Sequence, residues 1–158
     1  MLKATGVVRR IDDLGRIVIP IEIRRTMKIR DGDPLEIFVD KGGEVILKKY
    51  SAIAELGDFA REIANSIHEA CDHVVLLCDR DAVVTVAGAP DKAYVSKPNG
   101  PPIMQAMENR ETLLYTEGDH GHQGSLIGEE EVCPFSSEVI APIVVAGDPI
   151  GAVVVCTT

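Results

Sequence analysis

The first fifty residues hold four short β-branched runs and one two-turn helix, too little chain to close a hydrophobic core on itself. Residues 7–11 alternate β-branched and charged side chains, as a strand does. Asp12-Asp13-Leu14-Gly15 is a turn, and residues 16–19 form a second strand. Pro20 stops that strand and suits the first position of a helix, which residues 21–27 continue for about two turns. Asp31-Gly32-Asp33-Pro34 turns the chain again. Residues 35–40 alternate apolar and polar side chains, Lys41-Gly42-Gly43 makes a hairpin turn, and residues 44–49 give the fourth strand. Even a 60-residue domain buries only about 60% of its unfolded surface. No disulfide or metal pattern compensates here, so the ββαββ pattern predicts an obligate dimer with interleaved strands.

The charge is divided just as sharply. Overall the chain carries −9, with 16 basic and 25 acidic residues. Residues 1–50 carry +3, from 11 basic and 8 acidic side chains; residues 51–158 carry −12, from 5 and 17. Within residues 3–30 the balance is +5. The acidic average would argue against a nucleic-acid partner, but exposed charges more than about 8 Å apart barely feel each other in physiological salt. A basic N-terminal module can therefore bind a polyanion while an acidic remainder is held away from it. Five arginines, Arg9, Arg10, Arg16, Arg24 and Arg25, fall within seventeen residues. Arg9 and Arg16 flank the first turn, and Arg24 and Arg25 follow on the helix. The planar guanidinium fork suits both phosphate oxygens and guanine edges. The competing reading is a solvated surface whose arginines pair with Asp12, Asp13 and Glu22 nearby.

Residues 51–71 read as one helix. Ile53, Leu56, Ala60, Ile63, Ile67 and Ala70 follow a 3-4-3-4-3 spacing, an a/d seam. The seam either packs on its own domain or pairs with its copy in a dimer, and both can hold at once. Beyond it come strands at 74–78 and 82–87, a short helix around 91–95, and a hinge-like connector at 97–102. A helix at 103–110 and a strand at 113–116 follow, then an acidic loop at 117–135 and strands at 139–145 and 150–156. This pattern is α+β, an antiparallel sheet with helices on one face. The expected domain division is 1–50 for the basic module, 51–71 for a linker or dimerisation helix, and 72–158 for a second folded domain.

Several functions find little support in the residues. No apolar run approaches the roughly 18 residues of a membrane span; the longest, 139–146, has eight and contains Pro142. The first residues lack the apolar stretch of a signal peptide, so a cytoplasmic location is expected. Cys71, Cys78, Cys133 and Cys156 form no CxxC pair. His68, Cys71 and His73 cluster, and His120 and His122 lie in the acidic loop, but no spacing matches a zinc site. No metal, cofactor or catalytic residue is expected. A thiol-reductase reading would use Cys78 and Cys133, but Glu129, Glu130 and Glu131 would raise the pKa of the Cys133 thiol.

The block Val7-Val8-Arg9-Arg10-Ile11-Asp12-Asp13-Leu14-Gly15-Arg16-Ile17-Val18-Ile19-Pro20-Ile21-Glu22-Ile23-Arg24-Arg25-Thr26-Met27 resembles the signature of the AbrB family of swapped-hairpin transcription factors. Leu35-Glu36-Ile37 and Val45-Ile46-Leu47-Lys48-Lys49-Tyr50 fit as well. The resemblance implies a dimeric, strand-swapped β-barrel that binds double-stranded DNA through arginines at the positions of Arg9, Arg16, Arg24 and Arg25. In the second half, Cys78-Asp79-Arg80-Asp81 and the segments Ile140-Ala141-Pro142-Ile143 and Gly147-Asp148-Pro149-Ile150-Gly151-Ala152-Val153-Val154 resemble a GAF domain. Such a domain implies either a small-molecule sensor or a platform joining dimers into a homotetramer. Whether genes are activated or repressed stays open. Similar swapped-hairpin modules also occur in antitoxins, where a disordered tail binds the toxin. Residues 74–158 hold enough apolar strand for a fold of their own.

Overall fold

The computed structural model describes residues 3–116, 127 and 135–157. The chain divides into two compact units, Met1–Tyr50 and Ser51–Thr158. Together they are α+β, with all strand pairing antiparallel among the described residues.

In the first unit, α1 (Ile21–Thr26) is followed by β1 (Leu35–Val39) and β2 (Val45–Lys49). The two strands pair from Leu35 with Lys49 to Val39 with Val45. Pro20 is the residue before the helix rather than its first, with extended backbone (ψ 148°). Its carbonyl accepts the Arg24 N–H at 3.0 Å and opens the first turn. The expected strands at 7–11 and 16–19 are extended segments joined by a tight turn, without ladder pairing within the chain. None of the described residues 3–50 is fully buried. Val8, Ile11, Leu14, Val18, Ile37, Val39 and Val45 are each more than 60% exposed. The β-branched pattern was there, but a strand needs a neighbour to satisfy its backbone, and one copy of this unit supplies none for these two segments.

The second unit is a five-stranded sheet in the order β4-β3-β7-β6-β5. The strands are β3 (Val74–Asp79), β4 (Val83–Ala87), β5 (Leu113–Tyr115), β6 (Ser137–Val145) and β7 (Asp148–Thr157). Side chains alternate across it, and both faces are covered, not one as expected. On one face Leu76, Cys78, Ile140, Val154 and Cys156 pack with Ile103, Ala106 and Met107 of α5 (Pro101–Asn109). Tyr94 of α4 (Asp91–Tyr94) packs on the same cluster and stacks on Phe135, ring centroids 6.0 Å apart. On the other face Val75, Leu77 and Ala87 meet Ile53, Ala60 and Ala64. Leu76, Ile103 and Ile140 are fully buried, each contributing about 1.5–3 kcal/mol through burial.

The expected single helix at 51–71 is two. In α2 (Ala52–Glu55) the Ser51 hydroxyl accepts the Ala54 N–H at 3.0 Å, capping the helix. Gly57, with φ +52°, breaks the chain there, and α3 (Asp58–Cys71) follows. Of the heptad positions, Ile53 and Ala60 are buried against the unit's own sheet, whereas Leu56 is 40% exposed. Ala64 and Ile67 carry that packing on along α3. Gly151 lies beneath Ile53: a Cβ there would strike the Cys78 carbonyl oxygen and the Ile53 side chain. The 97–102 segment is pinned rather than hinge-like. The Val83 N–H donates to the Lys97 carbonyl, the Ser96 N–H to the Val83 carbonyl, and the Asn99 amide to the Asp79 carbonyl at 2.8 Å. Pro101 and Pro102 then begin α5, where missing N–H groups cost nothing.

Candidate nucleic-acid interface

The turn at 12–16 is built by one carboxylate. The Asp12 N–H donates to the Arg16 carbonyl at 3.0 Å, and the Gly15 N–H to the Asp12 carbonyl at 3.1 Å. Asp12 Oδ1 accepts the N–H groups of Leu14 (3.0 Å) and Arg16 (2.8 Å). Gly15 takes φ +76°, a left-handed setting in which side chains are strained. Asp12 Oδ2 then takes the Nε–H of Arg16 at 2.8 Å. The Arg16 backbone N–H, followed by its side chain, holds the Asp12 carboxyl below the ordinary carboxylate range. Arg16 itself stays outward, its side chain 71% exposed.

Arg9 and Arg10 lie in the extended segment before this turn and are exposed. Arg9 donates from Nη1 to its neighbour, the Val8 carbonyl, at 3.3 Å. Arg24 and Arg25 occupy the last turn of α1, where positive charge suits the helix dipole. Successive helical residues point about 100° apart, so the two diverge. Arg25 is exposed. Arg24 is half-buried and gives Nη1 to Asp31 at 3.0 Å, while its Nε is buried without a hydrogen-bond partner. The helix end is closed by the Ile29 N–H on the Arg24 carbonyl (2.8 Å) and by Lys49, whose Nζ donates to the Lys28 carbonyl at 2.9 Å. Lys49 also lies 3.8 Å from Asp33.

The five arginines thus fall into two kinds. Arg16 and Arg24 are held by carboxylates, as the solvated-surface reading anticipates for Asp12; Arg9, Arg10 and Arg25 show no ion pair among the described residues. Asp31, Asp33 and Lys49 escaped the sequence reading. Asp31 and Asp33 stand in the sequence as turn formers, and nothing in their spacing announces a partner across the helix.

The other candidates lead elsewhere. His68 Nδ1 donates to the His73 carbonyl at 2.7 Å. Among the described residues no group of three or more His, Cys, Asp or Glu can hold a metal ion. Cys78 is fully buried, and burial pushes its thiol far up. Cys133, His120 and His122, and nearly all of the acidic loop, lie outside the described residues. Among those described, no helix is long and apolar enough to cross a membrane.

Comparison with known proteins follows the same division. Residues 55–158 match the family described as stage V sporulation protein T C-terminal, transcription factor. Residues 8–55 match the family described as antidote-toxin recognition MazE, bacterial antitoxin. The chain is 51% identical over 154 residues to stage V sporulation protein T of Bacillus subtilis (strain 168), covering 98% of this chain and 84% of that protein. It is 59% identical over 49 residues to the transition state regulatory protein AbrB of the same organism, covering 31% of this chain and 50% of that one. Among solved structures, a type II free methionine-R-sulfoxide reductase from Thermoplasma acidophilum aligns with a TM-score of 0.51 at 12% identity. That alignment covers 66% of this chain and 77% of that one, a likeness of fold alone. An arginine-rich, AbrB-like first unit joined to a second unit that carries the family's own C-terminal match leaves one assignment: the chain belongs to the stage V sporulation protein T family of transcription factors.

Proposed function

We propose that this chain regulates transcription of sporulation genes by binding double-stranded DNA through Arg9, Arg10, Arg16, Arg24 and Arg25, presented by a homodimer of the first unit. The observation that carries the reading is the concentration of five arginines, four of them exposed, in a stretch closely related to AbrB. The uncovered apolar side chains of residues 3–50 support the dimer, since a second copy would supply both the missing strand partners and the missing core. Residues 7–25 offer few polar side chains besides arginine to read bases. Specificity then rests largely on groove shape and deformability. The second unit, with its sheet closed on both faces, is a GAF-like domain that senses a small molecule or joins dimers into a tetramer. An effector acts only through different affinities for two arrangements of the protein. The location is cytoplasmic, and the chain is not an enzyme.

The test is the salt dependence of DNA binding. Counting Arg9, Arg16, Arg24 and Arg25, the four positions that the AbrB resemblance implies face DNA, a dimer carries eight. If all neutralise phosphates, log affinity falls with log salt at a slope of about −7. A slope shallower than about −2 rejects the arginine face.

A second reading follows from the antitoxin match over residues 8–55. It would make the chain an autoregulator that also holds a toxin. The buried cores of the second unit weigh against a disordered toxin-binding tail. Copurification of a small toxin would establish it. Against a reductase reading, Cys78 is buried and burial pushes its thiol up. Sulfoxide reduction by the purified chain, lost in Cys133→Ser, would overturn that view.

A further inference from the structure

We infer that Asp12 is a positioning residue for DNA binding, holding the Arg16 guanidinium in the setting in which it meets the nucleic acid. The inference rests on the DNA-binding role proposed for Arg16. Residues 12 and 16 bond in both directions: backbone N–H to carbonyl one way, backbone N–H and Nε–H to one carboxylate the other way. The guanidinium is fixed at its Nε edge and keeps four of its five N–H donors for phosphate oxygens or a guanine edge. A free arginine surrenders rotamer freedom on binding, whereas one already pinned has less left to lose. The other carboxylate-held arginine differs. Asp31 is 97% exposed against 37% for Asp12, and it holds Arg24 by an Nη tip rather than by the stem.

Two electrostatic arguments make opposite predictions. A carboxylate beside a polyanion repels it, so removing the charge should tighten binding. If Asp12 positions Arg16, removing the charge loosens binding. Asp12→Asn separates them, because Asn Oδ1 can still accept the Leu14 and Arg16 N–H groups while its NH₂ cannot accept the Nε–H.

The experiment measures binding of full-length chain to mixed-sequence duplex DNA by fluorescence anisotropy between about 50 and 200 mM salt. The variants are Asp12→Asn, Arg16→Ala, Asp12→Asn with Arg16→Ala, and Arg16→Lys, which keeps the charge but loses the Nε–H. Asp12→Asn is expected to weaken binding about threefold per copy, or about tenfold for a dimer. Arg16→Lys should match it. The double variant should bind no more weakly than Arg16→Ala alone. Tighter or unchanged binding by Asp12→Asn, with Arg16→Ala weakened, overturns the inference and leaves the DNA-binding reading standing. So does a further loss when Asp12→Asn is added to Arg16→Ala, which would make Asp12 only a former of the turn. If Asp12→Asn does not fold, Arg16→Lys decides, and parental affinity in that variant overturns the inference. Parental affinity in Arg16→Ala removes the DNA-binding role proposed for Arg16 and, with it, this inference.

Discussion

Replacing Gly151 with alanine tests whether α2 and the sheet are as close as the structure places them. The new Cβ would strike the Cys78 carbonyl oxygen on the adjacent strand and come within 2.9 Å of the Ile53 side chain. Gly151 is not in the left-handed region, so the difficulty is space rather than backbone conformation. A backbone oxygen inside a ladder cannot swing aside as a side-chain tip can. Overpacking of this kind costs about 1–3 kcal/mol. The entropy gained by losing a glycine from a strand returns about 0.5–1 kcal/mol. The net loss is then about 1–2 kcal/mol. For a unit of roughly a hundred residues the melting entropy is about 0.2 kcal/mol/K, so the melting temperature should fall by about 5–10 °C. Thermal unfolding followed by circular dichroism reads this directly, since the chain has no tryptophan to report by fluorescence. Adding Ile53→Ala should cost less in the Gly151→Ala background than in the parent, because one of the two clashes is gone. A melting temperature within about 2 °C of the parent would refute the close packing of α2 on β7.

Two further outcomes follow from the sites described. The Asp12–Arg16 interaction depresses the Asp12 carboxyl below 3.8, so its contribution is complete above that value and is lost as pH falls through the lower folded value. Carboxyl resonances should titrate Asp12 with a midpoint under 3.8, and a midpoint at or above it contradicts the geometry. Thiol labelling at neutral pH, mapped by mass spectrometry, should modify half-buried Cys71 at least about tenfold faster than Cys78 or Cys156; equal rates would contradict the buried positions of the latter two.

The parts of the fold that local pattern controls were readable. Helices around 91–95 and 103–110 and strands at 74–78, 113–116, 139–145 and 150–156 appear close to where periodicity, proline and turn residues put them. What escaped depends on the environment. A heptad seam over 53–70 looks like one helix, yet Gly57 takes a positive φ between α2 and α3, and Ile53 packs on the sheet. Covering of both sheet faces was hidden because β3 and β7 read as continuous apolar runs, in which alternation carries no signal. At 97–102, proline and glycine suggest mobility, but the backbone is tied to Asp81 and Val83, and the Asn99 side chain to the Asp79 carbonyl. At the interface the arginines stood out by composition. Their sorting into carboxylate-held and unpaired did not, because it turns on Asp31, seven residues from Arg24 across a helix end.

The strand order also bears on how the chain is made. β7 is the third of five strands, paired along nearly its whole length with β3 on one side and β6 on the other. Among the described residues it also follows every other strand of the sheet in sequence. As the polypeptide leaves the ribosome, β3 with β4 and β5 with β6 can form only separate fragments, each with an unpaired apolar edge. The middle of the sheet waits for residues 148–157 to emerge. The second unit therefore completes its core only after synthesis has passed that strand. A stop just before Asp148 would leave the β3–β4 and β5–β6 pairs without the strand that joins them.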